Sequence, residues 1–273
     1  MAIISISGKD GSGKDTVGSI IQYLTESPND ITKNSYEKWL MLKEFSRFNP
    51  NNWKIKKFAD KLKDIACMML GCTREQLEDQ EFKKTVLGPE WDTYGIIRKG
   101  GSRQVAVKTI PYKPDNIWLS GKGYTQQHNQ MTVREFLQKL GTDAMRNGLH
   151  ENVWVNSLMA DYKPDTYTRV SVTYIASNLP NWIITDTRFP NELEAVKAKE
   201  GVTIRVVRPN KNYNIVTDGH ITRRATEFEE QQLLHPSETA LDDATFDYEI
   251  VNDGTIEDLV EKVRAILIEL SII

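Results

Sequence analysis

Near the amino terminus, Gly8-Lys9-Asp10-Gly11-Ser12-Gly13-Lys14-Asp15 satisfies the spacing G-x-x-x-x-G-K, with Asp15 where Ser or Thr is usual and Thr16 one step later. The chemistry such a segment supports is the holding of a polyphosphate. Glycines let successive backbone N–H groups turn toward one anion, and a helix starting there adds the positive end of its dipole. A lysine at the end of the loop reaches the β- and γ-phosphates. Gly8, Gly11, Ser12, Gly13, Lys14, Asp15 and Thr16 are therefore the candidate ATP-binding residues. Mg²⁺ accompanying the phosphates would meet either the Asp15 carboxylate or the Thr16 hydroxyl, and the spacing does not choose between them.

A loop of this kind works with a carboxylate on a neighbouring strand. Asp186 closes the apolar run Trp182-Ile183-Ile184-Thr185, the position of a Walker-B carboxylate that orients metal-bound water. Arg188, two residues on, suits the charge spread over a transferring phosphoryl group. Lys14, Asp186 and Arg188 are the candidate catalytic residues. A helix cap at Asp186 and a surface ion pair at Arg188 are the ordinary alternatives. Rival nucleotide folds fail their own tests. Asp186-Thr187-Arg188-Phe189 lacks the glycine of a GTPase D-x-x-G, and Asn210-Lys211-Asn212-Tyr213 is not N-K-x-D. The run from Gly11 also lacks the third glycine of a dinucleotide fingerprint.

These side chains need a scaffold, and the pattern around them supplies one. Ala2–Ser7 reads as a buried strand, and Val17, Ile20, Ile21 and Leu24 mark one face of the helix after the loop. Further strands are expected at 55–58, 182–185, 202–207 and 247–251. Helices are expected at 59–70, from Pro190 to Lys199, and at 256–270, with a capping box at Thr73 and another at Thr132. Gly141 and Thr142 are expected to interrupt the helix that the second box opens. Strands alternating with helices imply an α/β fold, a three-layer αβα arrangement with a central, mostly parallel sheet. We expect one P-loop domain over 1–273, with an irregular insertion at about 85–130 and a lid at about 210–238.

Composition narrows the class. Apolar residues at 39% and charged residues at 27% are those of an ordinary globular chain. A net charge of -3 argues against coating a nucleic acid backbone. Cys67 and Cys72 have no partners at metal-ligand spacing and fit free thiols in a reducing cytoplasm. No basic region precedes Ala2–Ser7 and the run is short, so the fold is expected to begin at residue 2 without a signal peptide or membrane span.

The order of several short motifs resembles the bacteriophage-type deoxynucleoside monophosphate kinases. Ser12-Gly13-Lys14-Asp15-Thr16 is similar to that family's Asp-containing loop, and Phe58-Ala59-Asp60-Lys61-Leu62-Lys63 to its second segment. Thr132-Val133-Arg134, Leu137–Asp143 and Trp154-Val155 form the most distinctive block. Asp186-Thr187-Arg188, Val206–Pro209 and Asn252–Thr255 follow in order. The resemblance implies a nucleoside monophosphate kinase fold with inserted acceptor-binding and lid segments, and transfer of the ATP γ-phosphate to a dNMP. It also implies acceptor contacts from Lys61, Arg134, Gln138, Gly141, Thr142, Trp154, Asp186 and Arg188. The chemistry is compatible, since Lys and Arg grip a 5′-phosphate and Trp154 offers a stacking plane. Trp154 with Val155 and Leu158 also suits a core. Asn252-Asp253-Gly254 is a candidate border of the adenine. The implied partners are ATP, Mg²⁺ and a dNMP in the cytoplasm, of the host if phage-encoded, with a homodimer allowed and neither nucleic acid nor membrane. The alternatives are another P-loop small-molecule kinase, of the dephospho-coenzyme A or phosphomevalonate type, or a P-loop ATPase without an acceptor.

Overall fold

The computed structural model describes residues 3–26, 35–45, 53–98, 105–111, 124–164, 166–169, 172–175, 179–209, 214–217, 220–224 and 236–273. In chain order the first elements are β1 (Ile3–Ser7), α1 (Lys14–Thr25), α2 (Tyr36–Phe45) and β2 (Trp53–Lys56). Then come α3 (Asp60–Leu70), α4 (Arg74–Glu78), α5 (Gln80–Lys84), β3 (Thr93–Arg98), β4 (Val105–Pro111), β5 (Tyr124–Asn129) and α6 (Val133–Gln138). A π-helix over Lys139–Asn147 leads to α7 (Val153–Met159), β6 (Thr166–Arg169), β7 (Val172–Ile175) and β8 (Asn181–Thr187). The chain ends with α8 (Pro190–Lys197), β9 (Val202–Val207), β10 (Asn214–Thr217), β11 (His220–Arg224), α9 (Pro236–Thr239), β12 (Tyr248–Val251) and α10 (Ile256–Glu269). Two compact units result, one of Met1–Ala59 with Trp154–Ile273 and one of Asp60–Val153. Among the described residues no helix is long and apolar enough to cross a membrane.

The first unit is built on a five-stranded sheet in the order β12-β9-β1-β8-β2, with every pairing parallel. All five β1 residues are buried, as a central strand covered on both faces requires. The core joins Ile4 and Ile6 to Val17, Ile20 and Ile21 of α1, Ile183 of β8, Ile204 of β9, and Leu259, Val263 and Leu267 of α10. Each such side chain contributes about 1.5–3 kcal/mol on burial. Helix α1 lies close on the sheet because residue 18 is glycine. A Cβ there would come within 2.6 Å of Thr185 Cγ2. Parallel strands share an edge where their carboxyl ends meet, and ligands of open α/β sheets bind along that edge. The segments after β1, β8 and β12 therefore collect where the glycine loop begins.

The second unit has a smaller core of Ala66, Leu77, Val133 and Phe136, with Trp91 packed edge-on to Phe136 at 4.9 Å between ring centres. Both expected capping boxes are present, at Thr73 with Gln76 and at Thr132 with Glu135. Cys67 and Cys72 are free, half-buried thiols on the edge of this core. Burial and the neighbouring thiol push the Cys72 pKa up. Within 85–130, where no sequence period is sustained, β3 pairs antiparallel with both β4 and β5. Residues 99–104 and 112–123 of that stretch lie outside the described residues. One expectation needs correction. Gly141 and Thr142 do not interrupt the helix opened at Thr132, which continues through them in the wider π register to Asn147. Such π segments occur within helices and frequently mark functional sites.

Candidate active site

The glycine loop leaves β1 at Ser7 and enters α1 at Lys14. Two of its glycines are demanded by backbone geometry and space. Gly8 has φ 148°, and a Cβ on it would stand 2.3 Å from the Val206 carbonyl oxygen. Gly13 has φ 104° and caps α1, and its Cβ would meet Asn252 Nδ2 at 2.6 Å. That amide donates instead to the Ser12 carbonyl at 2.8 Å, so the residue after β12 braces the loop. Ser12 Oγ is buried and without a hydrogen-bond partner among the described residues. An orphaned hydroxyl in a cradle that a side chain would fill is what an anion-binding loop presents, so the residues present fit a nucleotide phosphate.

Lys14 is buried, 8% exposed, with Nζ donating to the Gly8 carbonyl at 2.6 Å and the Lys9 carbonyl at 2.7 Å. Burial, and then the neighbouring Arg188, lower its pKa, while Glu238, Asp10 and Asp15 oppose them. Asp15 Oδ1 accepts from Thr185 Oγ1 at 2.7 Å and pairs with Lys57 Nζ at 2.9 Å. Partial desolvation alone would raise the Asp15 pKa, but these two contacts and the charge of Lys14 hold this exposed carboxylate below its usual value. Both contacts fall on one oxygen. Thr16 sits half-buried in the first turn of α1.

Asp186 lies where β8 ends, next to the loop strand. Its two carboxylate oxygens accept the backbone N–H groups of Phe58 at 2.8 Å and Ala59 at 2.9 Å. It thus pins the chain leaving β2. Burial raises its pKa, opposed by those two N–H groups and by Arg188 and Lys57. The Arg188 guanidinium pairs with Glu238, whose other oxygen accepts the Asp10 N–H at 2.8 Å. Glu192 on α8 accepts the backbone N–H groups of Arg188 and Phe189 at 2.8 and 3.2 Å. The structure thus gathers Gly8–Thr16, Asp186 and Arg188 in one neighbourhood of the first unit.

Sequence reasoning missed Glu192, Glu238 and Lys57. Glu192 had a signal, since an acid two residues after the helix-opening Pro190 is the far half of a capping box. Glu238 had none, because its contact with Asp10 spans 228 residues.

The other expected acceptor residues divide between the two units. Trp154 is 5% exposed and packed as core in the first unit. Lys61, Arg134, Gln138, Gly141 and Thr142 belong to the second unit. There the Arg134 guanidinium donates to Gln80 Oε1 at 2.8 Å, and the absent Cβ of Gly141 accommodates Leu62 Cδ2, which would stand 2.8 Å from it. Gln138 is exposed and Lys61 and Thr142 are half-buried. A cavity of about 400 Å³ in this unit is lined by Thr93, His128, Asn129, Gln130, Met131, Glu135 and Lys139, none of them an expected site residue.

The family model described as deoxynucleotide monophosphate kinase matches residues 120–263, a span that holds Gly141-Thr142, Asp186, Arg188, Glu238 and Asn252. The chain is 30% identical over 136 residues to the deoxynucleotide monophosphate kinases of Escherichia phage RB69 and Enterobacteria phage T4. That match covers 50% of this chain and 45% of each relative, so it spans about half the length of those proteins. A deoxynucleoside-5'-monophosphate kinase of Escherichia phage T5 is 24% identical over 272 residues, 92% of this chain and 89% of the relative.

Proposed function

Since the chain belongs to the deoxynucleotide monophosphate kinase family, we propose that it transfers the terminal phosphoryl group of ATP to a deoxynucleoside monophosphate, giving a deoxynucleoside diphosphate and ADP. The observation that carries this reading is the glycine loop with Lys14 and Arg188 beside it. Loop, lysine and arginine place three kinds of positive group around one anionic site: backbone amides, an ammonium and a guanidinium.

In this reading an oxygen of the acceptor phosphate forms a bond to the γ-phosphorus as the bond to the β–γ bridging oxygen breaks. The electron pair leaves with ADP. The acceptor oxygen is already largely ionised near neutral pH, since the second phosphate pKa is about 6, so no side chain need act as a general base. Lys14 and Arg188 stabilise charge on the transferring group. Positioning and electrostatic stabilisation, with water kept out, supply the catalysis.

Mg²⁺ would supply neutralisation of phosphate charge at this site. Asp15 or Thr16 would hold it, with Asp186 orienting water. Such a site suits Mg²⁺, which favours one or two carboxylates plus substrate phosphates over a protein cage. Lys61, Arg134, Gln138, Gly141, Thr142 and Trp154, together with Asp186 and Arg188, are assigned to the acceptor nucleotide. The hairpin of β10 and β11, which carries Arg223 and Arg224, belongs to the assigned lid. Residues 210–213, 218–219 and 225–235 of that lid lie outside the described residues. We assign the work to one kinase domain in the cytoplasm.

A coupled ADP-release assay across dNMPs, NMPs, dephospho-coenzyme A and phosphomevalonate tests the reading. Turnover with one or more dNMPs is expected. Turnover with none, or ATP hydrolysis indifferent to every monophosphate, would reject it.

A further inference from the structure

Glu238 sits on α9, far along the chain from the glycine loop, yet its carboxylate spans two positive features of the site. Oε2 accepts the Asp10 backbone N–H at 2.8 Å, and Oε1 pairs with the Arg188 guanidinium. Its side chain is 13% exposed and that of Arg188 34%, so the carboxylate is the more shielded member of a half-buried pair. The same charge reaches Lys14, where it opposes the lowering of the ammonium pKa.

A carboxylate and a phosphate present the same chemistry to these donors, oxygens that take an amide on one side and a guanidinium on the other. Lys14 serves the β- and γ-phosphates, whereas an arginine at the carboxyl edge serves the group being transferred. The oxyanion paired with Arg188 therefore stands in for the outermost phosphate rather than the inner ones. A carboxylate and a γ-phosphate compete for those donors, because like charges at contact distance repel.

Resting on the kinase reading, we infer that Glu238 is a displaceable internal anion at the transferring-phosphate position, which must release Asp10 and Arg188 before a triphosphate seats. It is thus a specificity-determining residue. It weakens the binding of a triphosphate, while a diphosphate leaves it in place. Apparent affinity falls by the fraction of molecules in the competent form, so removing the competitor restores affinity for the triphosphate alone.

Calorimetric titration of the full chain with ADP and with the β,γ-imido analogue of ATP, in wild type and Glu238→Gln, tests this. The amide keeps the side-chain shape and removes the charge, and thermal melts establish that both proteins are folded. The variant is expected to bind the analogue about three- to tenfold more tightly. Its affinity for ADP should stay within about twofold of wild type. Should Glu238→Gln fail to fold, Glu238→Ala carries the same expectation. Equal tightening of both ligands, or weaker binding of the analogue, would overturn the inference and make Glu238 a structural support for Arg188. If the wild type binds both nucleotides without a selective gain in the variant, the inference alone falls. If it binds neither, the kinase reading falls and takes the inference with it.

Discussion

The glycine loop at Gly8–Lys14 and the helical stretch at Thr132–Asn147 both carry glycine at a point assigned to nucleotide contact, but they tolerate change differently. At Gly8 the obstacle to a Cβ is a backbone carbonyl of β9 at 2.3 Å, fixed by a parallel ladder that binds β9 to β1. At Gly141 the obstacle is the tip of the Leu62 side chain at 2.8 Å, which can rotate away. The loop continues from β1, lies against the main chain of Val206 and is tied by the Asn252 side-chain amide. The helical stretch is held by side chains that can repack. A site of fixed dipoles is already organised for charge, which is where catalytic stabilisation is largest. An adaptable one is better suited to choosing among acceptors.

The largest effect is expected at Lys14→Ala. If the loop supplies the electrostatics, ATP-dependent dNMP phosphorylation should fall by at least about 10²-fold, the scale at which removal of one preorganised donor is felt. Thermal stability should change little, since among the described residues Nζ donates to carbonyls of a loop that Asn252 also braces. Retained turnover would remove the loop from the chemistry.

Gly8→Ala comes next and acts on the fold. The added methyl meets a main-chain carbonyl of β9, the strand that pairs with β1 on one side and β12 on the other, and φ 148° strains any other side chain. A loss of about 1–3 kcal/mol is expected in denaturant unfolding, the usual cost of a residue in a sparsely populated backbone region. An unchanged midpoint would show that the loop is not held by its main chain.

How much of this was legible follows the same division. Gly8, Gly13 and Lys14 announce themselves because their requirements are local and recur at fixed spacing. Asp186 and Arg188 follow from an apolar run that stops at a charge. The parallel sheet was readable because strands alternate with helices along the chain, the order that places parallel neighbours in one sheet. What was not legible depends on distance along the chain. Asn252 reaches Ser12 across 240 residues and Glu238 reaches Asp10 across 228, and no spacing rule links such partners. The π register after α6 escaped for another reason. Gly141 weakens an α-helix on propensity alone, but the pattern gives no sign that the helix widens rather than ends. In the second unit, β3 to β5 mix glycine, lysine and aromatic residues, so alternation never runs long enough to be read.

Asp15 sharpens the comparison through pH. Its folded pKa lies below its ordinary value of 3.8. The stability it contributes is therefore present above that value and is lost as pH falls through the folded pKa. In Asp15→Asn the amide cannot pair with Lys57 as a charge. Melting temperatures across an acid series should show the variant less stable than wild type above about pH 4, with the difference shrinking as pH drops below it. A constant difference at every pH would mean that the Lys57 and Thr185 contacts act through packing rather than charge.

The smallest effect is expected at Gly141→Ala, where it says most about the second region. The methyl would displace only the far end of Leu62, and alanine favours helix over glycine by about 1 kcal/mol. The two terms oppose each other, so stability should stay within about 1 kcal/mol of wild type. A kinetic change would then have to come from the nucleotide. If Gly141 lets the acceptor approach, KM for the dNMP should rise several-fold while KM for ATP stays put, because the glycine loop is untouched. A rise in both would couple residue 141 to the loop, and a rise in neither would leave Gly141 with Leu62 as its whole purpose. The substitution separates the two regions because residue 141 lies in the second unit, and the glycine loop with its main-chain neighbours belongs to the first.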